Sequence, residues 1–223
     1  GGLVNYGTGT VALTTAAGVD VNVSAATLYN QGDLSLAGGG PTPGKKATLT
    51  VAGAARSLLT GTVTLQGPAE LAFGSGAINA IADDATLNIY GGEAKITSAG
   101  ASALAGLAVN DGAIHLEGDY YSFAGGVSLQ VGGNFQNAGS FDIDGQSRGG
   151  SDIGFAGLVV NAGGWSIGNA ALAHDTRVSV GSLRNEGSLR ISGAARLASA
   201  HAATLAVASA APGVLTGSLW LGG

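Results

Sequence analysis

The sequence predicts an all-β fold, a right-handed parallel β-helix with about 24–27 residues per turn and inserted loops. Three observations support this fold class: alternating apolar and polar residues, a recurring Asn-x-Gly motif, and a longer internal repeat. Segment 178–193 shows the first two, because alternation continues on both sides of Asn185-Glu186-Gly187. Alternation is typical of half-buried strands, and Asn and Gly tolerate the left-handed backbone of a tight corner. The segment therefore predicts a strand, a corner and a second strand.

The Asn-x-Gly motif recurs at a nearly constant spacing. The steps through Asn110, Asn137, Asn161 and Asn185 all fall within this period. Asn30 precedes the first of these by close to three such steps. A period in this range indicates stacked units, none of which can bury its apolar face alone. The usual preference of parallel crossovers predicts a right-handed stack.

A second repeat supports the same period. Residues 47–67 match residues 203–223 at 12 of 21 positions without a gap, and six steps of the period separate the two copies. In both copies Leu-Thr-Gly takes the place of Asn-x-Gly. The match predicts a strand over 204–207, inside an Ala-rich stretch that could be misread as a helix. We expect no helix in the chain.

The elements follow in order. Residues 3–36 provide about one and a half turns, and Asn5 extends the series of repeated asparagines by one step before Asn30. The segment 38–46 contains two prolines and four glycines and predicts an inserted surface loop. The polar segment 146–152 predicts a second loop. We expect residues 1–223 to form a single β-helix segment, excerpted from a longer chain.

Turns in register would stack equivalent side chains at about 4.8 Å. We therefore predict two interior columns and a ladder of amide hydrogen bonds at the corner, and we expect Trp220 to point outward. The first column contains Leu34, Ile114, Phe141, Trp165 and Leu189, and the second contains Leu36, Leu116, Ile143, Ile167 and Ile191. The ladder contains Asn30, Asn110, Asn137, Asn161 and Asn185.

Composition excludes several function classes. The net charge is −5, with 9 basic and 14 acidic residues, which argues against a nucleic-acid partner. The chain has no cysteine, so a disulfide framework and a thiolate metal site are excluded. No run of about 18 apolar residues is present, so we do not expect the chain to span a membrane.

The pattern Val-x-Val-Gly-x-Leu-x-Asn-x-Gly-x-Leu-x-Ile-x-Gly over 178–193 resembles the repeats of filamentous haemagglutinin-like exoproteins and related autotransporter passengers. The resemblance implies a secreted β-helical rod on the surface of a Gram-negative bacterium, exported through an outer-membrane transporter by two-partner or related type V secretion. It also implies a role in adhesion, aggregation, biofilms and virulence. The implied partner is a glycan or protein on a host or neighbouring cell.

One outward position of the predicted stack is occupied in turn by His115, Asp142, Ser166 and Arg190. A nucleophilic serine needs a histidine in contact with it and an aspartate behind that histidine. Here the aspartate would lie between the other two, which is the wrong order for hydrolysis. The row therefore predicts a solvated polar face.

Glu117 and Asp144 also fall on equivalent positions, with Asp119 and Asp142 nearby. β-Helix enzymes that cleave acidic polysaccharides use such acidic clusters, with calcium or as paired carboxylates. Those enzymes also need a basic residue for the substrate acid, and basic residues are sparse here. Weak calcium binding by Asp142 and Asp144 is favoured over catalysis. We nevertheless predict no catalytic residue, no cofactor and no metal centre.

Exposed aromatic residues can stack on sugar rings, and Tyr120, Tyr121 and Phe123 could do so or could cover the core. With Asp142 and Asp144, they are the candidate ligand contacts. The leading hypothesis is a non-enzymatic structural and adhesive rod segment. The alternatives are a polysaccharide lyase or hydrolase on the same fold and a self-assembling surface fibre subunit, in which exposed strand edges pair between chains.

Overall fold

The computed structural model describes residues 1–15, 19–39, 44–118, 125–194, 201–209 and 216–222. These residues form 24 β-strands and no helix. The strands are β1 Leu3–Asn5, β2 Thr10–Thr14, β3 Val21–Ala25, β4 Leu28–Asn30, β5 Asp33–Ala37, β6 Ala47–Ala55, β7 Leu58–Leu59, β8 Thr62–Gln66, β9 Ala69–Gly76, β10 Ala80–Ile81, β11 Thr86–Tyr90, β12 Lys95–Ser98, β13 Ala101–Ser102, β14 Val109–Asn110, β15 Ala113–Glu117, β16 Ser128–Val131, β17 Phe135–Asn137, β18 Ser140–Ile143, β19 Asp152–Asn161, β20 Gly164–Ile167, β21 Thr176–Asn185, β22 Ser188–Ser192, β23 Ala203–Val207 and β24 Ser218–Gly222.

The strands stack as a β-solenoid, as the repeat period predicts. One sheet has nine strands in the order β2-β5-β8-β11-β15-β18-β20-β22-β24, so each strand pairs with its counterparts from the turns before and after. A second sheet follows β23-β21-β19-β17-β14-β10-β7, with β16 paired to β19, and a third follows β13-β12-β9-β6-β3. Strands β1 and β4 pair separately. The pairing is parallel except between β12 and β13.

The two predicted interior columns are confirmed in the nine-stranded sheet. Phe141 is in register with Ile114 on one side and with Trp165 on the other, and Trp165 is in register with Leu189. The second column runs in the same way through Leu116, Ile143, Ile167 and Ile191. Alternation along each strand therefore directs one set of side chains into the core.

Aromatic residues fill the core beneath the middle of this sheet. The rings of Phe141 and Trp165 stack with centroids 5.8 Å apart, and those of Phe135 and Phe155 stack at 4.8 Å. All four side chains are buried. Burying a large apolar side chain stabilises a fold by roughly 1.5–3 kcal/mol, so this cluster is a main source of stability for the turns that it joins.

Four of the five residues of the predicted asparagine ladder form a continuous ladder at one corner, and Asn30 is separated from them. The side-chain amide of Asn110 donates to Oδ1 of Asn137 at 2.7 Å, and that of Asn137 donates to Asn161 at 2.8 Å. The amide of Asn161 donates in turn to Asn185 at 2.7 Å. Each amide also donates to a backbone carbonyl, as Asn137 does to Gly164 at 3.0 Å. The four amides are buried, so these bonds satisfy groups that would otherwise be costly.

A shorter ladder joins Asn5 to Asn30 at 2.8 Å. Between the two ladders the chain makes two turns with an apolar residue at this corner. Ile81 is in register with Asn110 on one side and with Leu59 on the other. The long interval between Asn30 and Asn110 is therefore filled by turns in which leucine and isoleucine replace asparagine.

The Asn-x-Gly glycines require a correction. We expected them to adopt the left-handed backbone, but Gly139, Gly163 and Gly187 do not have positive φ. Their role is close approach, because a Cβ at Gly163 would lie 2.1 Å from the carbonyl oxygen of Gly139. In the Leu-Thr-Gly corner, by contrast, Gly61 has a φ of 65°. Stacked corner backbones leave no room for a side chain.

The Ala-rich stretch contains strand β23, paired with β21, so the prediction of a strand there is confirmed. At the inserted loop, an isolated bridge joins Gly39 to Lys45, and residues 40–43 lie outside the described residues. Trp220 is half exposed, and the guanidinium of Arg190 lies 4.3 Å from the centre of its ring.

Candidate functional site

The predicted polar row is present on the outer face of the nine-stranded sheet. His115 is in register with Asp142, Asp142 with Ser166, and Ser166 with Arg190. Asp142 therefore separates the histidine from the serine, as expected. The arrangement does not support a nucleophilic serine, because Ser166 and His115 are two strands apart.

Three side chains of potential metal ligands converge where β15 meets β18. One ligand atom each from His115, Glu117 and Asp142 lies within 4.8 Å of the others. His115 and Glu117 are two residues apart on β15, so strand alternation places them on the same face. Asp142 reaches them from the next turn, with its Oδ2 3.8 Å from Nδ1 of His115.

Glu117 is the innermost of the three, with only 1% of its surface exposed. The chain that follows β18 passes over it, and the backbone N–H of Gln146 donates to its two carboxylate oxygens at 3.1 and 3.3 Å. Burial, and next the charge of Asp142, raise the pKa of Glu117 to about 7. The carboxyl group therefore changes its protonation state near neutral pH.

The two outer members of the cluster contain polar atoms that lack partners. Nδ1 of His115 and Oδ1 of Asp142 are both buried and have no hydrogen-bond partner in the described part of the chain. The nearby carboxylate of Asp142 raises the pKa of His115, while burial opposes that shift. The Asp142 carboxylate lies against Gly145, where a Cβ would be only 2.1 Å from Oδ1. Because glycine has no Cβ, this position leaves room for the carboxylate where it now lies.

Asp144 has a different role from the one that its register suggests. Its oxygens accept hydrogen bonds from the N–H of Gly118 (2.6 Å), Oγ of Ser147 (2.9 Å), N–H and Oγ of Ser151 (3.0 and 2.8 Å) and Oγ1 of Thr176 (2.6 Å). Asp144 is fully buried, so the prediction that it contacts a ligand or shares calcium with Asp142 does not fit the structure. The carboxylate organises the turn instead.

The polar loop predicted over 146–152 is therefore partly interior, because Ser147 and Ser151 are buried against Asp144. Sequence reasoning missed these two serines and Thr176. The only available signal was the concentration of hydroxyl residues after an aspartate at a core edge. That Asp144 itself adopts a φ of 55° could not be read from the sequence.

A shallow groove lies on another face, lined by Gly125, Gly126, Gly149, Gly150, His174, Asp175, Arg177 and His201. The rings of His174 and His201 are 6.1 Å apart, although the residues are distant in sequence. Nδ1 of His201 lies 3.3 Å from Asp175, which Arg177 also contacts at 3.0 Å. This second cluster contains one carboxylate and is more exposed than the first.

The remaining candidate contacts, Tyr120, Tyr121 and Phe123, lie outside the described residues, as does Asp119. The asparagine ladder is buried and supports the corner, so it is not a ligand surface.

In the described part of the chain, no helix is long and apolar enough to cross a membrane. Comparisons with protein-family models, with curated proteins and with solved structures find no match to this chain.

Proposed function

We propose that the chain is a non-enzymatic structural and adhesive rod segment of a secreted bacterial surface exoprotein. One observation supports the proposal most strongly: the nine-stranded parallel sheet keeps its register from β2 to β24. Each turn is hydrogen-bonded to the turn before and the turn after. Eight intervals of about 4.8 Å give this sheet a length of about 40 Å along the stack.

The outer face of this sheet supports the adhesive part of the proposal. Its outward positions carry mostly small polar side chains, and the central row presents Thr64, Asn88, His115, Asp142 and Ser166 in successive turns. A row of polar groups repeated at a fixed spacing suits many weak contacts with a glycan or protein on another cell. The Gram-negative surface location and the outer-membrane transporter remain proposals that rest on the repeat pattern of 178–193.

A second candidate function is cleavage of an acidic polysaccharide, and one observation favours it. Glu117 has a pKa of about 7, which suits a general acid or base at neutral pH. The carboxyl group is buried, however, so a substrate could touch only His115 and Asp142. This burial makes the structural role the better-supported proposal.

An attachment assay would test the leading proposal. Beads coated with the purified chain would be compared with albumin-coated beads for retention under flow on mucin-coated glass and on glass coated with the same chain. We expect retention above the albumin level on at least one surface, and retention on the second surface would favour the self-assembling fibre. Retention equal to that of albumin on both surfaces would contradict the adhesive role.

An activity assay would distinguish the structural function from the enzymatic one. Polygalacturonate and alginate would be incubated with the chain and with Glu117→Gln and Asp142→Asn variants. We expect no product from any of the three. Cleavage by the unaltered chain that both substitutions abolish would overturn the non-enzymatic proposal.

A further inference from the structure

The cluster of His115, Glu117 and Asp142 contains one nitrogen donor and two carboxylates, and its charges are poorly balanced. Glu117 is buried, and the neighbouring charges that act most strongly on it come from two further carboxylates, Asp142 and Asp144. Removing carboxylates from water without a positive partner is unfavourable. In the described part of the chain, the basic side chain nearest these carboxylates is His115, with Nδ1 3.8 Å from Oδ2 of Asp142, and no lysine or arginine forms a salt bridge with either of them.

Two polar atoms of the cluster also lack hydrogen-bond partners. Nδ1 of His115 and Oδ1 of Asp142 are buried without a hydrogen-bond partner in the described residues, and unpaired buried polar atoms in native structures call for an explanation such as an ion. Ligand atoms of all three residues lie within 4.8 Å of one another, so a small rearrangement would bring them within bonding distance of one central ion. Asp144, whose oxygens are fully used in hydrogen bonds, is not part of this set.

We propose that His115, Glu117 and Asp142 bind one divalent transition-metal ion of the zinc class, which clamps β15 to β18. The imidazole nitrogen favours zinc or a similar metal over calcium, which prefers an all-oxygen shell. Three protein ligands leave a fourth tetrahedral position for water. Because the ligands come from successive turns, the ion would connect two layers of the solenoid.

Zinc itself is the probe for the first experiment. The purified chain would be stripped with a chelator, dialysed, and titrated with Zn²⁺ by calorimetry, with Ca²⁺ titrated in parallel. We expect one strongly bound Zn²⁺ per chain and at least about tenfold weaker binding of Ca²⁺. Zn²⁺ should also raise the thermal unfolding midpoint, since an ion that binds only the folded state stabilises it.

Variants assign the site. His115→Gln and Asp142→Asn should each weaken Zn²⁺ binding by about tenfold or more, which is the loss that even outer-shell substitutions reach. The matched control is His201→Gln, which removes an imidazole from the groove elsewhere and should leave the affinity unchanged. Loss of binding in His201→Gln with retention in His115→Gln would overturn the proposal.

A variant outside the ligand set tests the geometry. Gly145→Ala keeps all three ligands but places a Cβ 2.1 Å from the present position of Oδ1 of Asp142, so the carboxylate must move. We expect it to weaken Zn²⁺ binding while the circular dichroism spectrum stays that of a β-protein. Gly133→Ala, where nothing lies within 4 Å of the added Cβ, is its control.

The unaltered chain gives a readout that does not depend on any variant folding. It contains three histidines, so imidazole NMR signals would be few enough to assign. We expect stoichiometric Zn²⁺ to shift the ring nitrogen signals of His115 before those of the other two. Absence of any shift of the His115 signals at saturation would refute the site.

Discussion

At the scale of single residues, the longer asparagine ladder has a direction. Each side-chain amide donates to the asparagine of the following turn, from Asn110 to Asn185. The first member therefore lacks a donor for its own oxygen, because Ile81 occupies the preceding position. Oδ1 of Asn110 is indeed buried without a partner in the described residues. The ladder has one unsatisfied acceptor, and it lies at the start.

This asymmetry predicts different costs for the same substitution at two positions. Asn137→Leu removes the donor to Oδ1 of Asn161 while Oδ1 of Asn110 stays unpaired, so the number of unpaired acceptors rises from one to two. Asn110→Leu removes one unpaired acceptor and creates another at Asn137, so their number does not change. We expect Asn137→Leu to lower the free energy of unfolding by about 1–3 kcal/mol more than Asn110→Leu does. Urea unfolding measures both, and equal losses would contradict the account.

Trp165 offers a second test, because its buried Nε1 has no hydrogen-bond partner in the described residues. Trp165→Ala empties a large volume beside Phe141 and should cost about 3–5 kcal/mol. Trp165→Phe keeps the stacked ring and removes the unpaired N–H, so we expect a loss below about 1.5 kcal/mol. Thermal and urea unfolding compare the two variants. A loss of stability from Trp165→Phe as large as that from Trp165→Ala would contradict the view that the unpaired Nε1–H is unfavourable.

The candidate site was only partly predictable at this scale. Register placed His115 beside Asp142, because that needs only the period of the repeat. The burial of Glu117 depends on the path of the chain around Gln146, and the separate role of Asp144 depends on its positive φ. Neither property follows from a periodic pattern, since both arise where the pattern is interrupted.

At the scale of elements, the corners of successive turns stack in close backbone contact. The carbonyl oxygen of each Asn-x-Gly glycine lies under the glycine of the next turn, as Gly139 does under Gly163. The sequence predicted a glycine corner but suggested the wrong cause. A glycine that is required for a positive φ and a glycine that is required because space is lacking look the same in a sequence. Only the distance to the stacked backbone distinguishes them.

Lack of space makes a specific prediction for Gly163. An added Cβ would lie 2.1 Å from the carbonyl oxygen of Gly139, which cannot move without disturbing the turn below. We expect Gly163→Ala to lower the free energy of unfolding by about 1–3 kcal/mol. Gly133→Ala adds the same methyl group in open space and should change stability little. Urea unfolding gives both values, and a neutral Gly163→Ala would remove the steric argument.

Strand β9 carries an ion-pair network that links three turns. Glu70 contacts Lys46 before β6, while Thr97 on β12 donates to its Oε1 at 2.7 Å and Lys95 lies 4.0 Å away. Burial acts to raise the pKa of Glu70, but the hydrogen bonds from Lys46 and Thr97 and the two lysine charges outweigh it and hold the pKa below its usual value. The folded state therefore holds the carboxylate ionised more firmly than the unfolded state does.

This shift sets the sign of a pH effect. A lowered folded pKa contributes stability that is present above the unfolded value and is lost as the pH falls through the folded value. We expect the stability advantage of the unaltered chain over Glu70→Gln to be present at about pH 7 and to disappear below the folded pKa. Urea unfolding across acidic pH measures it, with Glu93→Gln at an exposed glutamate as control. An advantage that does not change with pH would contradict the network.

At the scale of the whole molecule, the period was enough to predict the stack, its parallel pairing and the contents of its columns. The irregular part of the chain was not predictable in the same way. Between Asn30 and Asn110 the corner residues are Leu59, which belongs to the Leu-Thr-Gly variant of the motif, and Ile81, which belongs to no motif. An apolar residue fills a buried corner as well as an amide ladder does, so nothing in the sequence marks Ile81 as the corner residue of its turn.

The two tryptophans report on different parts of the stack. Trp165 is buried among aromatic rings, whereas Trp220 lies on β24, which pairs only with β22 among the described strands and has exposed neighbours at Leu219 and Leu221. A solenoid loses its least supported turns first, because stability depends on neighbouring units. We expect Trp220 to become solvent-accessible at a lower urea concentration than Trp165. Fluorescence of Trp165→Phe and Trp220→Phe variants separates the signals, and coincident transitions would indicate fully cooperative unfolding.

The one-way donation from Asn110 to Asn185 gives the molecule an internal electrical polarity. Hydrogen bonds between parallel strands point alternately up and down the stack, so their dipoles largely cancel. The amides of the ladder all point towards later turns, and their dipoles add in a dry interior. Two such molecules side by side would be attracted when they run in opposite directions, whereas head-to-tail joining keeps one direction throughout.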